Sequence, residues 1–165
     1  MNAPDYAALK AALTTTYSGQ TDAQIVAAVN AVTVPQAVDV STQAVLNYLG
    51  VNGLLPTVRG WANAAPTPPA SGLSAAQTQA AQVAAQTFGI MAQTPSEWPT
   101  LKMSDPTTNA QITGMVNAIV TGGLMPQANA TAILAMGKTT VSQASLWGWP
   151  NGVSENDVVA ARAMP

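Results

Sequence analysis

The 165-residue chain contains no cysteine and no histidine, and each absence closes off a branch of chemistry. Without cysteine there is no disulfide framework and no thiolate metal ligand; without histidine the usual zinc constellations and the Ser-His-Asp triad cannot be assembled. Charge is scarce as well. Asp, Glu, Lys and Arg make up 7% of the residues, whereas a soluble domain ordinarily carries about a quarter. The five cations, Lys10, Arg59, Lys102, Lys138 and Arg162, are scattered and the net charge is -2, which disfavours nucleic acid as a partner. Long apolar runs are missing too. The richest stretch, Ile112 to Val120, is interrupted by Thr113, Gly114 and Asn117 and falls short of the roughly 18 residues of a membrane span. The opening MNAPDYAALK lacks a basic segment followed by an apolar one, so it does not read as a secretory signal.

What the chain does have is 48% hydrophobic residues, much of it alanine, among Thr, Gln, Asn and Ser. Its length is sufficient for a core without covalent staples. Most of the surface must be uncharged, and such a surface is suited to being covered.

The apolar spacing predicts a series of short helices. Tyr6, Leu9, Leu13 and Tyr17 fall on one helical face, stopped by Ser18-Gly19. Thr21 caps a second helix through Ile25, Val29 and Val32, with Asp22 in its first turn. Val32 to Val40 is β-branched and contains Pro35, and reads as an extended connector in preference to an edge strand. Ser41 caps a third helix carrying Val45, Tyr48 and Leu49, and a short segment follows from Pro56 to Trp61. A long Ala/Gln helix from Leu73 to Met91 presents Leu73, Ala76, Ala80, Val83, Ala84, Phe88 and Met91 as a narrow face for close packing. Asp105-Pro106 starts the strongest helix, with Ile112, Met115, Val116, Ile119 and Val120 as core and Gly122-Gly123 as its end. Pro126 opens another helix, closed by Gly137. Thr140 caps a short one to Trp147, and Ser154 begins the last. The fold class predicted is all-α: an irregular bundle of seven to eight short helices with one extended connector.

Three prolines in Pro66-Thr67-Pro68-Pro69 interrupt every periodicity. They divide the chain into an N-terminal helical part, 1–63, a Pro-rich linker or arm, 64–72, and a C-terminal helical part, 73–165, which either packs with the first or stands as its own domain.

No catalytic, cofactor-binding or metal-ligating set can be assembled from these residues. Gly137-Lys138-Thr139 resembles the tail of a phosphate-binding loop, but Ala132 stands where that motif needs glycine, and a helix precedes it where a strand is required. A Ser-Lys dyad would need Lys10, Lys102 or Lys138 beside a serine in a strained turn, which nothing indicates. Glu155 and Asp157 sit two apart at a helix start, where the dipole accounts for them. Asn129-Ala130-Thr131 fits the glycosylation sequon. The Leu146-Trp147-Gly148-Trp149-Pro150 run either plugs a core, stacks on a partner protein or binds sugar. Interface candidates are Pro66, Pro68, Pro69, Trp147 and Trp149.

Three blocks of the sequence resemble a family of small virion-associated proteins encoded in the structural-gene modules of tailed bacteriophages. They are Tyr6-Ala7-Ala8-Leu9-Lys10-Ala11-Ala12-Leu13 with Gly19 to Asn30; Val34-Pro35 leading to Val45-Leu46-Asn47-Tyr48-Leu49; and Thr140-Val141-Ser142-Gln143-Ala144 with Val153 to Asp157-Val158 and Ala160-Ala161-Arg162. The chain departs from the family pattern at Gln143, where a basic residue is common, and in its longer Pro-rich segment. The resemblance implies a virion-associated role and leaves tail, neck and capsid open; the leading expectation is a non-enzymatic structural component of the particle, tail- or neck-associated, made in the host cytoplasm and located in the virion. Its partners would be copies of itself or other phage structural proteins, with no nucleic acid, membrane or small-molecule ligand and no cofactor. The alternatives are a capsid decoration protein and a host-glycan binding module using the Trp147/Trp149 turn.

Overall fold

A computed structural model describes residues 3–165. Among them, helices α1 (Tyr6–Thr15), α2 (Asp22–Ala31), α3 (Thr42–Val51), α4 (Leu55–Trp61), α5 (Ala75–Gln93), α6 (Pro106–Thr121), α7 (Gln127–Met136), α8 (Gln143–Leu146) and α9 (Glu155–Ala163) are joined by four short strands, β1 (Thr33–Ala37), β2 (Val40–Ser41), β3 (Thr100–Leu101) and β4 (Lys138–Ser142). The protein is mostly helical without being all-α. The expected connector is in fact β1 and β2. The reason lies far along the chain: Lys138-Thr139-Thr140-Val141-Ser142 is equally β-branched, and as β4 it pairs with β1. Thr140 therefore lies within a strand, and Ser142, whose hydroxyl accepts from Ser145 N at 3.1 Å, caps α8. Gly137 does end α7, and a strand follows it where a phosphate-binding loop would need a helix.

The contacts divide the chain into two compact units, one reaching to Gln36 and resuming over Thr140–Pro165, the other continuous over Ala37–Thr139. This division differs from the one expected at 64–72, and the Pro-rich segment lies inside the second unit. Local composition marks where the backbone is extended, but a unit boundary is set by contacts between distant segments.

In the first unit, Leu9, Leu13, Tyr17, Ile25, Val29, Ala144, Trp149, Val153, Val158 and Ala161 form one core. α1 and α2 both pack on α9. Thr21 with Gln24 and Ser154 with Asp157 form capping boxes, each satisfying two orphan helix-start donors reciprocally. Asn30 spans the two pieces of the unit, accepting from Val153 N at 2.8 Å and donating to Val153 O at 3.0 Å.

The second unit buries a larger cluster from α3 to α7. Asp105 accepts from Thr108 N at 2.7 Å and Pro106 occupies the first turn, as the sequence requires of a helix start. Ile112, Val116 and Ile119 are buried, with Met115 and Val120 packed at the margin. α5 turns a different face inward than expected: Ala81, Ala84, Ala85, Phe88, Met91 and Ala92 are buried, while Ala76, Ala80 and Val83 are exposed. Gly89 explains the shift. A Cβ there would stand 2.6 Å from Ala62 N and 2.7 Å from Val58 O, so α4 approaches α5 backbone to backbone and takes Gly89 with it into the core. β2 and β3 pair antiparallel, Val40 opposite Leu101, and beside them the buried Thr42 donates its N–H to Pro99 O at 3.1 Å and its hydroxyl to Trp98 O.

Candidate functional site

The five interface candidates are placed mainly against their own units. In the first unit Trp149 is only 7% exposed, and its ring meets Tyr6 edge-on with centroids 5.1 Å apart. Trp147 is half-buried on the same cluster. The turn between them closes under the chain's own start: Asp5 N donates to Trp147 O at 2.7 Å, and Gly148, at φ +91°, leaves room for Ala3, whose carbonyl oxygen would lie 2.5 Å from any Cβ there. The two rings therefore do not form an open platform, and Trp149 is corrected from interface candidate to core residue. A turn read locally looks exposed. The segment that covers it lies at the opposite end of the sequence.

In the second unit the prolines form a strap on α5 and α6. Ala70 N donates to Gly122 O at 3.2 Å, a Cβ on Gly122 would lie 2.7 Å from the Ala81 methyl and 3.4 Å from Pro68 Cβ, and one on Gly123 would lie 3.2 Å from Pro69 Cγ. Pro66 and Pro68 are half-buried and Pro69 is exposed. The segment is laid on its own unit, so only its outer edge is available to a neighbour.

The ionisable groups with shifted pKa values are bonded within their own units. Burial pushes the Asp157 carboxyl up, but donors outweigh it: the Ser154 hydroxyl at 2.5 Å and backbone at 2.9 Å, the Tyr6 hydroxyl at 2.8 Å and the Trp149 side chain together hold it down at about 2. The same bond to Asp157 raises the Tyr6 phenol. In the second unit the Ser104 hydroxyl at 2.5 Å, Lys102 at 2.9 Å and Ser104 N at 3.1 Å bring Asp39 to about 2. Lys10 donates to the carbonyls of Met164 and Pro165, whereas Lys102 and the Ser104 hydroxyl meet on the one Asp39 carboxylate. Arg162 contacts Asp22 Oδ1 at 3.0 Å and donates to Gln20 O at 3.2 Å beside a hollow of about 440 Å³. Among the described residues no three His, Cys, Asp or Glu side chains gather, and no helix is long and apolar enough to cross a membrane.

What the surface does offer is large apolar side chains. Val51 is 89% exposed, Val83 57%, Trp98 49% and Ile90 45% in the second unit, and Val159 54% in the first; burial of each would remove apolar area from water. A groove of about 380 Å³ runs beside α5, lined by Thr87, Met91, Trp98, Thr100, Thr108 and Gln111. Val83 and Ile90 were missed as surface residues because the helix was assigned a single apolar face. Their spacing from Ala80 and Thr87 was the available signal. Comparison with protein-family models, with curated proteins and with solved structures finds no match to this chain.

Proposed function

We propose that this protein is a non-enzymatic structural component of a tailed bacteriophage particle, associated with the tail or neck and acting through protein–protein contacts. One observation carries the contact role: an almost chargeless surface on which Val51, Val83, Ile90 and Trp98 stay exposed. Covering such area gains about 25 cal/mol per Å² of apolar surface, with few charges to desolvate. The placement in a phage particle rests on the resemblance of the three sequence blocks. Quantitative mass spectrometry of purified particles tests it. Copy number follows the symmetry of the site occupied, so a tail or neck protein is expected at about a dozen copies or fewer, whereas hundreds would assign it to capsid decoration. Absence from washed particles would overturn the reading.

A further inference from the structure

Of the four tryptophans, Trp61 and Trp149 are buried, Trp147 is half-buried and Trp98 alone is exposed, at 49%. The backbone that carries its ring is tied down. Thr42 donates its hydroxyl to Trp98 O and its N–H to Pro99 O at 3.1 Å, and Thr100 then pairs with Ser41 between β2 and β3. Thr42 is the one buried polar residue among the described residues, and both of its donors go to the segment that presents this indole. An exposed aromatic ring on a fixed backbone has little conformational freedom left to lose when a ligand binds.

The indole borders the groove of about 380 Å³, a volume within the roughly 300–1,000 Å³ of small-ligand sites. Two kinds of surface line it. The buried Met91, Leu101 and Ile112 give an apolar floor beside Trp98, while Thr87, Thr100, Thr108 and Gln111 supply neutral hydroxyl and amide groups. The Thr87 hydroxyl donates to Val83 O at 2.9 Å and keeps its lone pairs for a further donor. Lys102, the one ionisable residue of the lining, is bonded to Asp39 at 2.9 Å, so no unpaired cation draws an anionic ligand. A wholly apolar occupant, such as a lipid chain or the greasy face of a helix, would cover these hydroxyls and the amide without giving them partners. A ligand with an apolar face and a hydroxyl rim answers both surfaces. All-equatorial pyranose rings have that form, since their faces are axial C–H bonds and their edges are hydroxyls. We infer that the groove beside Trp98 binds a neutral, all-equatorial saccharide of the β-1,4-linked glucose type, stacked on the indole with its hydroxyls toward the threonines and Gln111. The site is distinct from the Trp147–Trp149 turn, and it goes beyond the particle role proposed above because it requires only the folded chain.

Cellotriose titrated into the full chain tests the site, read by the indole N–H resonances and by saturation transfer to the sugar. The Trp98 N–H, assigned by its loss in Trp98→Ala, is expected to move saturably at millimolar sugar while those of Trp61, Trp147 and Trp149 stay in place. The axial C–H protons of the sugar should receive the saturation. Trp98→Ala should weaken binding at least about tenfold and Gln111→Ala about threefold, both with an unchanged melting temperature. Gln111→Ala, at an exposed position, keeps the test decisive if Trp98→Ala disturbs the fold. A Trp98 signal that stays in place up to the solubility of the sugar would overturn the site, as would undiminished binding by both variants. A shift produced by a neutral proline-rich peptide and not by cellotriose would give the groove to a protein partner and overturn the saccharide. Any of these failures leaves the presence of the protein in purified particles untouched, and absence from particles leaves the sugar titration untouched.

Discussion

The two units differ in how the chain supplies their packing. The second is continuous in sequence, and close approaches, Gly89 letting α4 touch the backbone of α5 and Gly122 receiving Ala81 and Pro68, accompany long-range polar pairs of its own, Asp39 with Lys102 and Ser104 and Tyr48 with Asn129. The first is made of two segments separated by about a hundred residues, and it is laced by polar pairs that cross between them, Tyr6 to Asp157, Asn30 to Val153, Lys10 to Met164, and Arg162 to Gln20 and Asp22. A hydrophobic face tolerates sliding, but a hydrogen bond does not. Segments without a short connecting loop to fix their register gain it from directional bonds.

The comparison breaks most visibly at Ile119. That side chain is fully buried in the second unit, and Ile119→Asp places an unpaired carboxylate there, with an expected loss of about 4 kcal/mol or more. Chemical denaturation and hydrogen exchange of the α6 amides should both register it. An unchanged melting temperature would mean that this face of α6 is not core.

Trp149→Ala tests the first unit at comparable depth. Removing a buried indole and its edge contact with Tyr6 should cost about 3–5 kcal/mol, and particle incorporation should fall only in proportion to the folded fraction. A stable variant that fails to incorporate would restore the turn as an interface.

Gly89→Ala probes the reliance on shape. The added methyl meets backbone atoms of α4 at less than 3 Å, so relief requires α4 and α5 to separate, at about 1–3 kcal/mol. A neutral effect in thermal melts would refute the close approach.

The smallest effect belongs to the polar lacing. Tyr6→Phe deletes one bond to Asp157 and should lower stability near neutral pH by less than any of the changes above. It should also let the Asp157 carboxyl titrate higher. Because the folded carboxyls of Asp157 and Asp39 are held at about 2 against an ordinary 3.8, the unfolded chain binds more protons between those values. Their contribution is present above about pH 4 and is lost as pH falls toward 2. Acid titration monitored by the near-ultraviolet dichroism of Trp149 should show the Tyr6→Phe protein giving way at higher pH than the parent. Coincident acid transitions would remove Tyr6 from the account.

The sequence made the helix starts legible, since Thr21, Asp105-Pro106 and Ser154 are capping chemistry confined to four consecutive residues. The stripes Leu9-Leu13 and Ile112-Val116-Ile119 were legible for the same reason, being periodic within one helix, whereas Tyr17, expected on the first, lies past the end of α1. Three features depended on pairings across the chain and were not. β1 forms because β4 lies beside it, α5 turns Gly89 inward because α4 requires it, and Trp149 is buried where Ala3 and Pro4 fold over Gly148.

The paired strands β1 and β4 have a consequence for modularity. Within the second unit Val38 N donates to Gly137 O at 2.9 Å, and within the first Gln143 N donates to Val32 O at 2.9 Å. The second unit thus enters and leaves as an insertion whose two ends are neighbours. A two-residue hairpin turn is the length that ordinarily joins such antiparallel strands, so the first unit can be closed without its guest. The guest, with adjoining ends, can be transplanted or circularly permuted as a cassette.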